Sequence, residues 1–121
     1  MSYDLAVWEG DRPVDDKSAR RILEDLYDRY LGGEIEVGPS KRIIAFVDAL
    51  LERWPDVTTS EGGMSPWSVG PLIAGASGPV IYFGMAWARA EEASSYAVAV
   101  ADSMGLVCFD VQEARIRNRA H

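Results

Sequence analysis

Cysteine and histidine are nearly absent from this chain, which contains one of each. A single cysteine excludes an internal disulfide and any cysteine-based metal cluster. Cys108 lies in an apolar run, where a free cysteine is typical of a small hydrophobic core residue. The one histidine, His121, is the last residue, so a mechanism that needs a fixed imidazole base or a histidine-rich metal site is nearly excluded.

The motifs of common enzyme classes are missing as well. Ser77 lies in Gly-Ala-Ser-Gly-Pro, which does not match the G-x-S-x-G elbow, and no internal histidine could activate it. Neither a P-loop nor a dinucleotide-binding glycine motif occurs. The pairs Asp15-Asp16 and Glu91-Glu92 are sequence neighbours, which point about 100° apart on a helix and do not converge on one site. We therefore predict that the protein is not an enzyme and binds neither cofactor nor metal.

Long apolar runs and a basic surplus are also lacking. No run reaches the roughly 18 residues of a membrane span, and the acidic N-terminus does not have the basic region of a signal peptide. Acidic residues outnumber basic ones by 19 to 12, for a formal net charge of −7. This charge argues against nucleic-acid binding and favours a basic protein partner, although solubility alone would also explain it. We predict a cytoplasmic protein without membrane contact.

Periodicity predicts one strand and two helices in the first half. Residues 3–8 alternate as a strand does. Asp15 or Asp16 is the expected N-cap of a helix with one apolar face, which ends at Gly32 and Gly33. Ser40 is the expected N-cap of a second helix, ended by the proline after Trp54.

The second half predicts a hairpin and a crossover. A short strand at residues 71–74 and a glycine-containing turn precede a strong strand at residues 80–86. A helix rich in alanine follows, Gly105 ends it, and a last strand covers residues 106–110. The connection is long enough for a right-handed crossover between two parallel strands. Beyond it, the basic segment 113–121 is expected to be a frayed tail.

The predicted order is β-α-α-β-β-α-β within a single domain, residues 1–121. It predicts an α+β fold, a ferredoxin-like sandwich with the helices packed on one face of a four-stranded sheet. The other sheet face would then be open to solvent or to a partner.

Residues 56–70 form the longest stretch without periodicity. Loops of this length in compact domains are uncommon and are often functional. Trp67 within it has two interpretations. The indole could pin the loop to the core, or it could be a partly exposed anchor for a partner.

Three segments resemble a group of small, largely uncharacterised bacterial proteins: SYDLAVW, VIYFGMAWARAEEA and GLVCFDVQ. The shared features are an opening Tyr-Asp-Leu strand, a Trp-x-x-Ala-Glu-Glu-Ala helix start and a strand ending in an aromatic residue and Asp. Some members look like immunity proteins, which protect a cell from a toxin. The resemblance implies protein binding and assigns no catalytic role. The matching residues are Tyr3, Asp4, Leu5, Trp8, Trp87, Glu91, Glu92, Phe109 and Asp110.

The leading hypothesis is a small acidic protein-binding module, an immunity protein that neutralises a basic toxin by surface complementarity. The candidate partner-binding residues are acids of the first helix and of the long loop, with one tryptophan as anchor: Asp25, Asp28, Asp56, Glu61 and Trp67. One alternative is a small-molecule-binding or regulatory domain with a pocket lined by Trp8, Trp67 and Trp87. Another is a self-associating structural domain, a homodimer that pairs through its open sheet face.

Overall fold

An antiparallel sheet of five strands forms the centre of the structure. The computed structural model describes residues 2–33, 37–58, 65–68 and 70–117. The strands are β1 (Ser2–Trp8), β2 (Ala76–Ser77), β3 (Val80–Ala86), β4 (Val107–Asp110) and β5 (Arg115–Ile116). They lie in the order β2-β3-β1-β4-β5, with each neighbouring pair antiparallel.

Three α-helices accompany the sheet: α1 (Asp16–Leu26), α2 (Lys41–Arg53) and α3 (Ala90–Ser103). Short helical turns occur at Tyr27–Leu31, Leu72–Gly75 and Trp87–Arg89.

The ends of these helices follow the local rules of the sequence. The Asp15 carboxylate accepts a hydrogen bond from the N–H of Ser18 at 2.7 Å, and the Ser40 hydroxyl accepts one from the N–H of Ile43 at 3.2 Å. Both side chains therefore satisfy helix-start donors, as predicted. Gly105 follows α3 with a φ of 70°, a left-handed conformation that suits a glycine at a helix end.

The two faces of β1 contact different helices. Leu5 and Val7 belong to a core shared with α2 and α3, whereas Ala6 and Trp8 belong to a second core with α1. The expectation that all helices pack on one face is therefore wrong. Its physical reason is visible in residues 5–8, which are apolar at every position. Such a run is typical of a strand covered on both faces.

Two other expectations need correction. The sheet has five strands rather than four, because Arg115–Ile116, expected to be part of a frayed tail, forms β5 against β4. Residues 72–75 form a 3₁₀ turn in place of the predicted strand at 71–74, and the short strand is Ala76–Ser77. The prediction of two parallel strands joined by a helix agrees with the structure. β3 and β4 are parallel to each other, although β1 lies between them.

The α+β class is confirmed. The ferredoxin-like order and the single domain over residues 1–121 stay predictions. Within the described ranges, none of the helices combines the length and the apolar character needed to cross a membrane.

The turn before β2 yields a stability prediction. A Cβ atom placed on Gly75 would collide with the backbone carbonyl oxygen of Tyr82, whereas one placed on Gly38 would meet no atom within 4 Å. We expect Gly75→Ala to lower the free energy of unfolding by about 1–3 kcal/mol, because backbone must move to relieve the overlap. The matched control Gly38→Ala should stay within about 0.5 kcal/mol of the original protein. Urea unfolding measures both, and equal stabilities for the two variants would contradict this packing.

Candidate functional site

Trp67 is a core residue and not a surface anchor. Its side chain is 1% exposed. Its ring makes edge contacts with the rings of Trp54 and Phe83, at centroid distances of 5.9 and 6.0 Å. Trp67 also pairs with Met85 in an isolated antiparallel bridge. The interpretation that Trp67 pins the loop to the core is therefore correct, and the partner-anchor interpretation is wrong.

The acidic candidates do not form one surface. Asp56 is buried, and its Oδ2 atom accepts a hydrogen bond from the N–H of Leu72 at 2.9 Å, so it stabilises the loop internally. Asp25 and Asp28 are exposed on α1 and the turn that continues it, and Asp25 pairs with Arg29 at 3.5 Å. Glu61 lies outside the described residues.

The pocket expected between three tryptophans is not formed. Trp8 is buried in the α1 core, where its ring lies 6.2 Å from that of Phe109. Trp67 is buried in the core with α2 and α3, on the other side of the sheet. Only Trp87 is exposed, so the prediction that these three residues line one pocket is wrong.

A different site forms where α3 begins, beside the first residues of β1. It is an open hollow of about 280 Å³, here called the Trp87 hollow. Its lining residues come from β1, the turn before α3, α3 itself and the segment after β5: Tyr3, Trp87, Ala90, Glu91, Ser94, Ser95 and Arg117.

Two aromatic rings form one side of this hollow. The rings of Tyr3 and Trp87 lie 5.5 Å apart between centroids, at an interplanar angle of 53°. Strand alternation places Tyr3 on the face of β1 that α3 covers, together with Leu5 and Val7. The 3₁₀ turn directly after β3 carries Trp87 outward, and its side chain is 55% exposed.

A completely buried carboxylate, that of Asp110, supports the hollow from behind. Its Oδ2 atom accepts a hydrogen bond from the Tyr3 hydroxyl and lies 3.2 Å from Nη1 of Arg117. Its Oδ1 atom accepts hydrogen bonds from Nε2 of Gln112 at 3.1 Å and from the N–H of Glu113 at 2.9 Å. A buried charge is tolerated when it is paired in this way.

This network keeps the carboxyl group of Asp110 ionised and the hydroxyl group of Tyr3 protonated at neutral pH. Burial raises the pKa of Asp110, but the hydrogen bonds from Tyr3, Glu113, Gln112 and Arg117 outweigh it and bring the pKa below its ordinary value. Burial, together with the hydrogen bond to the carboxylate, raises the pKa of Tyr3 to about 12. Neither group is suited to proton transfer near pH 7.

Other routes to chemistry are equally poor in the described part of the chain. Burial raises the pKa of the Cys108 thiol to about 12, which disfavours the nucleophilic thiolate. Among the same residues, no three His, Cys, Asp or Glu side chains are grouped so that they could hold a metal ion.

A second open hollow adjoins the first across Glu91 and Ser95. It measures about 470 Å³ and is also lined by Ala88, Arg89 and Glu92. Arg89 pairs with Glu92 through Nε and Oε1 at 2.7 Å. Glu91 and Ser95, in the first half of α3, therefore lie between the two hollows.

A further hollow, of about 370 Å³, lies beside β2 and has a different character. None of its described lining residues is charged, and most of them are glycines or other small residues: Tyr30, Leu31, Gly33, Val37, Gly38, Ala74, Ala76 and Ser77. Ligand sites usually combine an apolar surface with a few placed polar groups that fix orientation. We therefore assign no function to this hollow.

No family model, no curated protein and no solved structure matches this chain.

The residues of the hollow were partly visible in the sequence. Tyr3, Trp87, Glu91 and Asp110 all belong to the segments on which the resemblance to small bacterial proteins rests, and the structure brings these four together. Sequence reasoning did not predict that these four residues, which come from separate segments, lie together in the fold. Arg117 was not identified from the sequence, because the segment 113–121 was expected to be a frayed tail.

The Asp110 network yields a pH-dependent prediction. Asp110→Asn removes the charge that Tyr3 and Arg117 hold, and we expect the free energy of unfolding at pH 7 to fall by about 2–4 kcal/mol. Because the folded-state pKa lies below the ordinary value, the carboxylate contributes its stability above about pH 4 and loses it as pH falls through the folded-state pKa. The difference between the two proteins, measured by urea unfolding, should therefore stay constant from pH 7 to about pH 5 and narrow as the pH falls below about 4.

Asp25→Asn is the matched control for this experiment. It breaks an exposed pair with Arg29, which lies four residues further on, in the turn that follows α1. Such pairs contribute at most about 0.5 kcal/mol. A loss from Asp110→Asn no larger than that from Asp25→Asn would show that the buried carboxylate is not stabilised as described.

Proposed function

We propose that the chain is a small acidic protein-binding module of the cytoplasm, and that it acts as an immunity protein whose partner is a basic toxin. In this proposal the chain belongs with the small bacterial proteins that it resembles. The contact surface is centred on Trp87 and not on the loop around Trp67. The observation that carries the proposal is the exposed indole of Trp87 beside an open, aromatic-sided hollow.

An exposed tryptophan at a surface depression is a common feature of protein interfaces. Tryptophan is enriched among the residues that contribute most binding energy, and such residues tend to lie beside pockets that receive partner side chains. The indole gains by burial because its surface is large and mostly apolar. The shape of the site, an open depression and not an enclosed cavity, fits a side chain of a partner protein better than a small-molecule ligand.

The charge of the chain supports a basic partner. The formal net charge is −7. Glu91 and Glu92 are exposed beside Trp87, Asp25 is exposed on α1, and Asp28 is exposed on the turn that follows α1. Complementary charge raises the rate of association and disfavours acidic competitors.

The two alternatives receive less support. A small-molecule pocket between tryptophans would need Trp8 and Trp67 at its surface, and both are buried in separate cores. Self-association through an open sheet face would need an apolar face, but α1 covers that of Trp8, and the start of β1 on the same side carries Ser2 and Asp4.

Co-expression with the product of the neighbouring open reading frame tests the proposal. We expect that product to be toxic alone, to be neutralised by this chain and to co-purify with it. Trp87→Ala should weaken the complex by at least about thirtyfold, in the range of an interface residue that contributes 2 kcal/mol or more. Titration calorimetry with the purified partner measures the loss.

Val14→Ala is the control variant, because it truncates an apolar side chain that is 91% exposed just before α1. Its affinity should equal that of the original chain. A neighbour that is not toxic, together with no co-purifying protein, would rule the proposal out. Equal affinities of the Trp87 and Val14 variants would move the interface elsewhere.

A further inference from the structure

We propose that the Trp87 hollow is a cation-binding site, which receives the guanidinium or ammonium end of one arginine or lysine side chain from the partner. The inference rests on the proposed function and adds to it the chemical class of the group that is bound.

The aromatic side of the hollow suits a cation. Tyr3 and Trp87 meet at a tilted angle, so the two rings form a corner instead of a flat stack. A guanidinium or ammonium group is attracted to the face of such rings, and tryptophan gives the strongest attraction. The methylene groups behind the charge can pack on the same rings and on Ala90, which also lines the hollow.

The charges around the hollow leave one acidic group without a partner. Arg117 is matched by Asp110, its buried ion-pair partner. Arg89, on the neighbouring depression, forms its ion pair with Glu92. Glu91 lines both hollows, and no ion pair within the described ranges involves its carboxylate. Among the described residues, Glu91 and Arg117 of the lining and Asp110 behind it therefore give the Trp87 hollow a formal net charge of −1.

An anionic ligand fits the same surface less well. Arg117 is the one cationic residue in the lining among the residues that the structure describes. Its Nη1 atom already lies 3.2 Å from Asp110 Oδ2 and 3.3 Å from the Tyr3 hydroxyl oxygen. An anion placed there would face the carboxylates of Glu91 and Asp110. Like charges at such distances disfavour binding.

Titration of the whole chain with Nα-acetyl-argininamide tests the inference without knowledge of the partner. The measurement is the shift of the indole N–H signal of Trp87 in two-dimensional NMR spectra, assigned with the Trp87→Phe variant among the four tryptophans. We expect a saturable shift with a millimolar dissociation constant. Nα-acetyl-norleucinamide, which has an apolar side chain and no charge, should bind at least about fivefold more weakly, the contribution of one partly exposed cation–ring and charge contact.

Glu91→Gln should weaken binding of the arginine probe by about fivefold. Glu92→Gln is the matched control, because it removes an adjacent carboxylate that lines only the neighbouring hollow and is paired with Arg89. It should leave the affinity unchanged. Equal binding of the norleucine probe, stronger binding of Nα-acetyl-glutamic acid amide, or equal effects of the two glutamine substitutions would overturn the inference.

The outcome is separable from that of the co-expression experiment. If Trp87→Ala abolishes neutralisation of the partner but the arginine probe shows no charge preference, the protein-binding function stands and the cation site is wrong. If the probe binds in a Glu91-dependent manner and no protein partner exists, the cation site stands and the immunity function is wrong.

Discussion

The burial of β1 on both of its faces is the constraint on which the other elements depend. β1 pairs with β3 along its whole length and with β4 over residues 5–8, so the backbone of residues 5–8 is paired on both edges. Its apolar side chains then need cover on both faces, which α1 provides on one side and α2 with α3 on the other. The first residues of β1 extend beyond its pairing with β4, and Tyr3 there lines the Trp87 hollow.

The Asp110 network connects this scaffold to the surface. Its carboxylate contacts Tyr3 at the start of β1 and Arg117 beyond β5, and it also binds the chain that turns between β4 and β5. An unpaired carboxylate at this position would cost several kcal/mol, so these partners must be present together for the end of the sheet to be stable. The same arrangement pairs the charge of Arg117 with that of Asp110. Among the described lining residues of the hollow, the other charged side chain is that of Glu91.

The sequence predicted local features well and long-range contacts poorly. Asp15 and Ser40 were predictable as caps because a cap depends on a hydrogen bond within a few residues. Strand β5 was not predictable from its own two residues, since what stabilises it is distant: pairing with β4, and a hydrogen bond from the Ile116 N–H to Asp16 Oδ1 at 2.9 Å. Asp56 was misjudged for the same reason, because its hydrogen-bond partner, Leu72, is remote in sequence.

The surface tryptophan is Trp87 and not Trp67, which was the candidate anchor, and this difference has a specific physical cause. A tryptophan in a loop is expected at the surface, but the chain around Trp67 lies beside the end of β3 and pairs with it. The N–H of Ala86 donates to the carbonyl oxygen of Pro66 at 2.6 Å, and Trp67 forms an antiparallel bridge with Met85. Such a segment alternates like a strand, and this register turns the Trp67 ring into the core. Trp87 lies just past that paired region, where the chain leaves the sheet for α3 and its ring is not enclosed. The exposed aromatic group thus marks the point at which sheet pairing ends and the chain turns into α3.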